Sequence, residues 1–467
     1  MRTHLTRPLV TTALLALVAG LAGCGTDSTT PPPTSSTATV AAPTTTGAAT
    51  STSTAAAPST TAAGPDTPTV VWAVQSGQSD SYKAGVDRWN AAHPNQPIDL
   101  QLMPDADYKA KIRVALGAGQ GPDLIFGWGG GGLKDFIDAG YVDPLDSYVS
   151  QYADLLSKYL PPTLIPVQFG GKTYGVPIAN MQPVVIYYNK PVFTTAGAQP
   201  PATWADVSAL AASFNAAGIS PFTLAGQSKW PYLPYIEYLV DRIGGPDVFN
   251  KIAANTPGSW SDPAVIQALT MIQDLVKAKG FVPNFSSLAY ETGAADALLY
   301  TGKAAMLTML ASAYANINKA APEFVGGGNL AYTVFPTVAA GKGDASNIVG
   351  NPSNYWSLNA KATASHKATA VQFLAEQVEN PQWASEIVGR NGLPPIAAAE
   401  SQLSAPGKEF ALFCFNLVKN AKNFQMSWDQ ALSAEQGSAL NTQLDRVFLL
   451  QITPQQFADE MNKTIKA

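Results

Sequence analysis

Apolar residues near the start of the folded region alternate between strand spacing and helix spacing. Residues 70–74 form an apolar run typical of a strand. Tyr82, Val86 and Trp89 then follow at i, i+4 and i+7, as on one face of a helix. Two more strand and helix pairs come next, with the sequences IDLQLM, DADYKAKIRVALGAG, DLIF and LKDFIDAG. This alternation predicts parallel β-α-β units with helices on the faces of the sheet.

Two polar or glycine-rich loops follow strands of this predicted sheet. They are QSGQSD at 75–80 and GWGGGG at 127–132. In open parallel sheets, ligands bind outside the carboxyl ends of the strands. We therefore expect both loops to face one ligand at the same edge.

The second half of the chain repeats an α/β pattern. An extended apolar run, GKTYGVPIANMQPVVIYYNKPVF, precedes helices such as TWADVSALAASFNAAG and PAVIQALTMIQDLVKAKG, and the stretches AYTVFPTV and YWSLNAK are strands again. With 467 residues, of which 46% are hydrophobic and 13% charged, the chain is long enough for two domains with their own cores. The pattern thus predicts an α/β fold with two lobes.

The N-terminus has the composition of an export signal. Arg2 and Arg7 precede an apolar stretch at 9–22, and small residues lead to Cys24. The segment Leu21-Ala22-Gly23-Cys24 resembles the lipobox of bacterial lipoproteins, in which the cysteine is lipidated. This resemblance implies a signal peptide at 1–23 and a protein held at the extracytoplasmic face of the cell membrane by lipid on Cys24. An ordinary secreted protein is the alternative.

A low-complexity segment follows this cysteine. Residues 25–68 are rich in Ser, Thr, Ala and Pro, contain no aromatic residue and carry two charges. Such a composition cannot bury enough apolar surface to fold. Residues 24–68 are therefore predicted to be a lipidated cysteine and a disordered stalk.

Charge and cysteine content exclude several kinds of site. The net charge of −5 offers no basic face for nucleic acid. Cys414, in the apolar stretch FALFCFNLV, is expected to be buried, and with Cys24 lipidated no disulfide or cysteine metal site can form. We expect no cofactor, no metal and no nucleic acid partner.

The glycine loop matches a dinucleotide-binding pattern. Gly127, Gly129 and Gly132 satisfy G-x-G-x-x-G, but the loop follows the third strand of its unit, and the next segment, YVDPLDSY, is turn-like where the pattern needs a second strand that ends in an acid. A dinucleotide site is therefore disfavoured. We expect instead that the backbone N-H groups of 129–132 approach a ligand hydroxyl, since no Cβ atoms block them.

Six motifs occur in an order typical of one family. GPDLIFGW, GKTYGVPIANMQPVVIYYNK, TWADVSALAASF, GKAAMLTML, VFPTV and KATAVQFLAEQ resemble the family 1 extracellular solute-binding proteins, the carbohydrate receptors of ABC importers. Within the family, residues 69–467 are most similar to actinobacterial receptors for oligosaccharides of the xylobiose, cellobiose or chitobiose type.

The resemblance implies a type II periplasmic-binding-protein-like fold, with a ligand cleft between two lobes joined by a multi-segment hinge. The chain would cross between lobes near 178–183, 335–337 and 393–397. Lobe 1 would then comprise 69–180 and 337–395, and lobe 2 would comprise 181–336 and 396–467. Prolines beside each crossing fit a connection that bends at defined points.

A sugar receptor needs aromatic platforms and hydrogen-bonding groups. We expect Trp128, Trp230 and Trp428 to be the platforms, and one of the neighbours Tyr355 and Trp356 to face the cleft, because adjacent strand residues point to opposite faces. The hydrogen-bonding residues predicted beside them are Gln75, Gln78, Gly129, Asn180, Gln182, Asn351, Asn391 and Asp429.

The sequence thus predicts a monomeric, lipid-anchored binding protein that delivers an oligosaccharide to the permease subunits of an ABC importer, with the lipid as its only membrane attachment. Two alternatives remain. One is an extracytoplasmic enzyme that processes glycans, for which acids such as Glu237 and Asp241 are available but form no recognisable catalytic set. The other is a receptor for an oligopeptide, a polyamine or a metal ion.

Overall fold

A computed structural model of the chain describes residues 67–75, 79–152, 154–178 and 180–465. The strands in chain order are β1 (Thr69–Val74), β2 (Ile98–Met103), β3 (Leu124–Gly127), β4 (Val142–Asp143), β5 (Gln168–Phe169), β6 (Lys172–Thr173), β7 (Val176–Pro177), β8 (Gln182–Asn189), β9 (Ser220–Thr223), β10 (Ala304–Leu310), β11 (Leu330–Thr333), β12 (Ile348–Asn351), β13 (Tyr355–Asn359) and β14 (Phe424–Met426).

The α-helices in chain order are α1 (Ser79–Ala92), α2 (Asp105–Ala118), α3 (Gly130–Asp138), α4 (Asp146–Val149), α5 (Pro161–Leu164), α6 (Lys190–Ala196), α7 (Trp204–Ala216), α8 (Leu233–Gly244), α9 (Pro246–Ala253), α10 (Pro263–Lys277), α11 (Ala294–Tyr300), α12 (Ala313–Ala320), α13 (Pro322–Gly326), α14 (Ala364–Glu379), α15 (Pro381–Gly389), α16 (Glu400–Leu403), α17 (Glu409–Asn420), α18 (Trp428–Ala431), α19 (Ala434–Phe448) and α20 (Pro454–Asn462).

The sheet of lobe 1 has the order β2-β1-β3-β13-β4, with β7 also paired to β13. Strands β1, β2 and β3 are parallel, as the β-α-β pattern predicts, whereas β13 is antiparallel to β3. The predicted apolar stripe of α1 is buried: Tyr82, Val86 and Trp89 are each at most 6% exposed. Their burial against the lobe explains why this segment is helical despite its polar average.

The sheet of lobe 2 has the order β14-β12-β8-β10-β9, with β11 also paired to β8. Strand β8 lies at its centre and is buried on both faces. Val184 and Ile186 pack into one hydrophobic cluster, and Val185 and Tyr187 pack into the other. This two-sided burial explains the continuous apolar run in the sequence, since a strand with one face in water would alternate.

The chain passes between the two sheets at three places. It leaves lobe 1 after β7 and enters lobe 2 at β8, and it returns between β12 and β13, at 352–354. Residues 393–396 then run beside the first passage, where the Met181 N-H donates to the Leu393 carbonyl at 2.9 Å.

The predicted second crossing at 335–337 is wrong. Thr337 bridges to Thr203, and Phe335 stacks on Tyr238 at 4.4 Å, so both residues belong to lobe 2. Strand β12 also belongs to lobe 2, because it pairs with β8. The boundary predicted at residue 337 therefore moves to 352–354.

Local sequence signals account for two helix ends. Gly119 ends α2 with a left-handed φ of 71°, and Thr203 and Asp206 form a capping box at the start of α7. The prediction that Cys414 is buried is confirmed. Among the described residues, no helix combines the length and apolar character of a membrane-spanning segment.

Candidate interlobe binding site

A cavity of about 420 Å³ lies where the two lobes meet. Lobe 1 contributes residues of α2, β3 and α3, and lobe 2 contributes residues of α18 and α19. The loop after β3 forms part of its wall, at the carboxyl end of the strand. This is the position at which open α/β sheets bind ligands.

The wall from lobe 1 is largely aromatic. The Trp128 ring lies edge-on to Phe126, with centroids 5.2 Å apart, and also contacts Tyr108. The Tyr108 hydroxyl donates to the Phe126 carbonyl and so fixes α2 against β3. The ammonium of Lys109 lies 4.6 Å from the centre of the Trp128 ring, within cation-π distance. Trp128 is therefore a partly exposed ring held in a defined orientation.

The wall from lobe 2 carries hydrogen-bond acceptors. Three buried oxygens have no hydrogen-bond partner: Asp429 Oδ1, Gln430 Oε1 and Asn441 Oδ1. Burial raises the pKa of Asp429, whereas the hydrogen bond from Asn441 and the positive charge of Lys109 lower it. Buried polar atoms are normally paired. The three acceptors without a partner all belong to residues that line this wall.

A buried carboxylate positions the start of α18. Glu237 is 1% exposed, and its Oε1 accepts hydrogen bonds from the Trp428 N-H at 2.7 Å and the Ser427 hydroxyl at 3.0 Å. Burial raises the pKa of Glu237 to about 8. Glu237 thus holds the backbone from which Asp429 and Gln430 reach the cavity.

Two glycines of the loop lie against lobe 2, and the predicted approach of its N-H groups to a ligand stays a prediction. A Cβ at Gly130 would lie 2.6 Å from the Gln430 carbonyl oxygen, and one at Gly131 would lie 2.2 Å from the carbonyl oxygen of Leu432. These two glycines therefore face the backbone of lobe 2. Gly129, with a φ of 79°, and Gly132 line the cavity, but a Cβ at Gly129 would collide with Pro166 at 2.8 Å.

Three predicted aromatic residues are buried in the cores, which corrects their expected role. Trp428 is 1% exposed and stacks on Phe249 at 4.5 Å, inside lobe 2. Tyr355 is fully buried and donates to the Thr163 carbonyl, and Trp356 is 2% exposed between Tyr82 and Phe126. Neither member of the Tyr355 and Trp356 pair faces a cleft in this structure.

Trp230 lies at another edge of lobe 2. It is half-buried in the loop after β9 and meets Tyr290 edge-on, with ring centroids 4.8 Å apart. Its neighbour Lys229 lies 3.9 Å from Asp445, which is one helical turn beyond Asn441 on α19. Trp230 is outside the wall of the 420 Å³ cavity.

The other predicted polar residues are spread along the interlobe passage. Gln182 and Asn351 are paired in register at the ends of β8 and β12, and Asn351 has a buried, unpaired Oδ1. Asn180 is 7% exposed and accepts from the Leu393 N-H, which gives it a structural partner. Asn391 accepts from Lys408 at 3.3 Å, and Gln75 is exposed after β1; none of these residues lines the cavity.

Two predicted residues lie outside the described part of the chain, Gln78 and the lipidation residue Cys24. Of the predicted set, the structure brings Trp128, Gly129 and Asp429 together in one cavity.

The sequence analysis missed several cavity residues. Lys109 and Arg113 stand one turn apart on α2, beside the stripe of Tyr108 and Ile112. The sequence pattern could have identified these two residues, because on a helix they lie next to the apolar residues that pack on the sheet. Asn441, in the middle of α19, carried no local signal.

Among the described residues that line the cavity, Asp429 is the single carboxylate. The glycosidase alternative would need two carboxylates across the sugar. No group of three or more His, Cys, Asp or Glu residues in the described chain could hold a metal ion.

Comparison with known proteins gives one family. Residues 73–381 match the model of the bacterial extracellular solute-binding proteins. An uncharacterised ABC transporter extracellular-binding protein from Pyrococcus horikoshii is 26% identical over 243 residues, which are 51% of this chain and 54% of that protein. The match thus spans about half the length of this relative.

Two solved structures have the same fold. One comes from a study of xylan utilization by the thermophilic bacterium Caldanaerobius polysaccharolyticus; it is 27% identical, has a TM-score of 0.73, and the match covers 86% of this chain and 100% of that one. The other is a chitin oligosaccharide binding protein, 24% identical with a TM-score of 0.74, over 86% of this chain and 98% of that one.

Proposed function

Because the chain belongs to the family of bacterial extracellular solute-binding proteins, we propose that it is the lipid-anchored receptor of an ABC importer and captures an oligosaccharide between its lobes. The observation that carries this proposal is the interlobe cavity, which combines the Trp128 ring with three unpaired acceptor oxygens. Its volume of about 420 Å³ lies in the range of small-molecule sites.

The two walls complement the two kinds of surface on a sugar. The apolar C-H face of a pyranose packs on an aromatic ring such as Trp128. Its hydroxyls donate hydrogen bonds, and Asp429 Oδ1, Gln430 Oε1 and Asn441 Oδ1 are acceptors without a partner among the described residues. Leaving a buried acceptor unpaired costs about 1 to 3 kcal/mol, so a ligand that supplies the donors gains that amount. Trp230 and Asn351 are proposed to extend the site along the passage between the lobes.

The alternatives fit the cavity less well. An enzyme that hydrolyses glycans lacks a second carboxylate in the described wall. A polyamine would meet the cationic side chains of Lys109 and Arg113 beside the single acid. A metal ion would find Asp429 without the further carboxylate, histidine or cysteine ligands that such ions prefer.

Attachment by lipid rests on the sequence alone. Cys24 ends an apolar export segment, and two acyl chains on this residue would provide stable anchoring.

A ligand screen by thermal denaturation tests the proposed function. A sugar at 100 times its Kd should stabilise the protein by about 2.7 kcal/mol and raise the Tm. The panel comprises xylobiose, cellobiose, chitobiose and maltotriose, with spermidine, a tripeptide and Zn²⁺ as the competing classes. A rise in Tm with spermidine, peptide or zinc alone contradicts the proposal. Chromatography of the recovered sugar separates binding from hydrolysis, since a receptor returns it unchanged.

Substituting the acceptors tests the proposed geometry. Asn441→Leu removes one unpaired acceptor and its bond to Asp429 and should abolish most of the sugar-dependent rise in Tm. Asn316→Leu is the control, because Asn316 lies outside the cavity and bonds the Tyr290 hydroxyl at 3.4 Å. If sugar raises the Tm of both variants equally, the sugar binds outside this cavity.

A further inference from the structure

Two glycines at the start of α3 lie against the backbone of the other lobe. A Cβ at Gly131 would be 2.2 Å from the Leu432 carbonyl oxygen and 2.7 Å from the Ser433 nitrogen. A Cβ at Gly130 would be 2.9 Å from the Ala431 Cα. Backbone atoms cannot rotate away as a flexible side chain can. No side chain larger than hydrogen fits at these positions while the lobes stand as they do here.

This contact is separate from the ligand site although it adjoins it. Gly129 and Gly132 line the cavity, and Gly130 and Gly131, which lie between them, do not. On the other lobe, Gln430 and Leu432 contribute to both the cavity wall and the contact. The same two segments therefore enclose the ligand and meet each other.

We propose that Gly131, assisted by Gly130, sets how far the two lobes close. Because these residues have no side chain, α3 can approach the segment 430–433 until the two backbones meet. We call this backbone contact the closure stop. Gly131 is a positioning residue that acts on binding through the interlobe distance without touching the ligand. A bulkier residue there holds the lobes apart and lowers the fraction of closed molecules. Apparent affinity falls in proportion to that fraction. The inference goes beyond the proposed function, because it concerns closure around whatever ligand the cavity takes.

A matched pair of variants tests this proposal. Gly131 in α3 and Gly389 in α15 are both helical glycines without a positive φ, so alanine adds no backbone strain at either position. Gly131→Ala puts its methyl group into the contact with Leu432, whereas a Cβ at Gly389, outside the cavity wall, meets nothing within 4 Å. The two variants thus differ in the interlobe collision and share the replacement of a helical glycine by alanine.

Interlobe distances can be measured in the full chain with one spin label on each lobe. Lys83 on α1 and Lys277 on α10 have exposed side chains and are replaced by cysteine. Cys24→Ser leaves these two as the reactive thiols, because Cys414 is fully buried. Distance distributions are recorded without sugar and with xylobiose, cellobiose and chitobiose in turn.

Wild type and Gly389→Ala should populate the short distance of this structure, and Gly131→Ala should lose it. Any sugar that binds wild type should bind Gly131→Ala about tenfold or more weakly and Gly389→Ala within about twofold. The Tm of sugar-free Gly131→Ala should equal or exceed that of wild type, which excludes misfolding as the cause.

Three results would overturn the closure stop. They are a Gly131→Ala distribution that matches wild type, an equal loss of closure in both variants, and a wild type that never shows the short distance. If no sugar in the panel binds, that result contradicts the proposed function and leaves the closure stop testable. The closure stop still predicts that the sugar-free interlobe distance distributions of wild type and Gly131→Ala differ.

Discussion

Trp128 is the side chain that distinguishes this cavity from a plain hydrophobic gap. Trp128→Ala should weaken binding of the sugar that gives the largest rise in Tm by about 1 to 3 kcal/mol, since it removes a large apolar contact. Titration calorimetry measures the change.

Trp204→Ala is the control for this loss. Trp204 is also half-buried, but it stacks on Phe335 at 5.9 Å in lobe 2, outside the cavity. Its replacement should lower stability and leave sugar affinity unchanged. If the two variants lose affinity equally, the effect of Trp128 is on folding and the platform role is wrong.

Glu237 makes stability depend on pH. Its pKa is raised from 4.5 to about 8, by burial first and then by the nearby charge of Asp429, while the bonds from Trp428 and Ser427 oppose the rise. The folded state therefore holds this proton more tightly than the unfolded chain. The contribution of Glu237 to the free energy of unfolding is therefore largest below about pH 4.5. This contribution is lost as the pH rises through about 8.

The measurement is the Tm of wild type and Glu237→Gln from pH 5 to 9. As the pH rises, the Tm of Glu237→Gln should increase relative to the Tm of wild type, because glutamine is never ionised. Glu460→Gln, an exposed carboxylate near the C-terminus, is the control and should run parallel to wild type. A constant difference for Glu237→Gln would show that the carboxyl is already ionised throughout.

Tryptophans 128 and 428 show what sequence can and cannot tell at the scale of one residue. Both have polar or small neighbours, and both were predicted to be platforms. The backbone of α18 turns Trp428 onto Phe249, while Asp429 and Gln430 face the cavity. Which side of a one-turn helix faces the core depends on packing against α19, through residues such as Gly437, and no local pattern encodes it.

At the scale of elements, the passage from β7 to β8 depends on a side-chain bond. Asn180 accepts from the Leu393 N-H and so ties the first passage to the third. Asn180→Ala should lower the free energy of unfolding by about 1 to 3 kcal/mol, because it leaves a buried N-H unpaired. Urea denaturation measures this free energy, and Gln182→Ala, at a half-buried neighbouring residue, is the control. An Asn180→Ala variant as stable as Gln182→Ala would show that water satisfies the Leu393 N-H.

Element type was easier to predict than element pairing. The strand and helix alternation of lobe 1 is visible in the spacing of apolar residues, and β2 matches the predicted IDLQLM. Strands β12 and β13 are separated by three residues, yet they join different sheets. Nothing in IVGN or YWSLN identifies the partner strand, because both are only four or five residues long. The second passage was therefore misplaced, and the cavity, which needs both lobes in position, could not be located from the sequence.

At the scale of the whole molecule, Cys24 should determine where the protein is found. Cys24→Ala removes the thiol that would carry lipid, and the protein should move from the membrane fraction to a soluble or unprocessed form. Cell fractionation with an antibody to the folded lobes measures the change. Cys414→Ala is the control, since Cys414 is buried in lobe 2 and cannot be lipidated. A wild type that fractionates as soluble contradicts lipid anchoring.

The order of strands in lobe 1 also affects how the chain folds. Strand β13 lies between β3 and β4, and β4 pairs with β13, yet β13 begins at Tyr355, after most of lobe 2 has been synthesised. The first sheet can therefore be completed only through contacts that are very distant in sequence, which makes folding slow. During synthesis, β3, β4 and β7 lack the strand with which they pair until β13 has been made. A chain that must be threaded through a membrane before it folds benefits from this delay, whereas the same chain kept in a concentrated solution exposes unpaired strand edges for longer and is prone to aggregate.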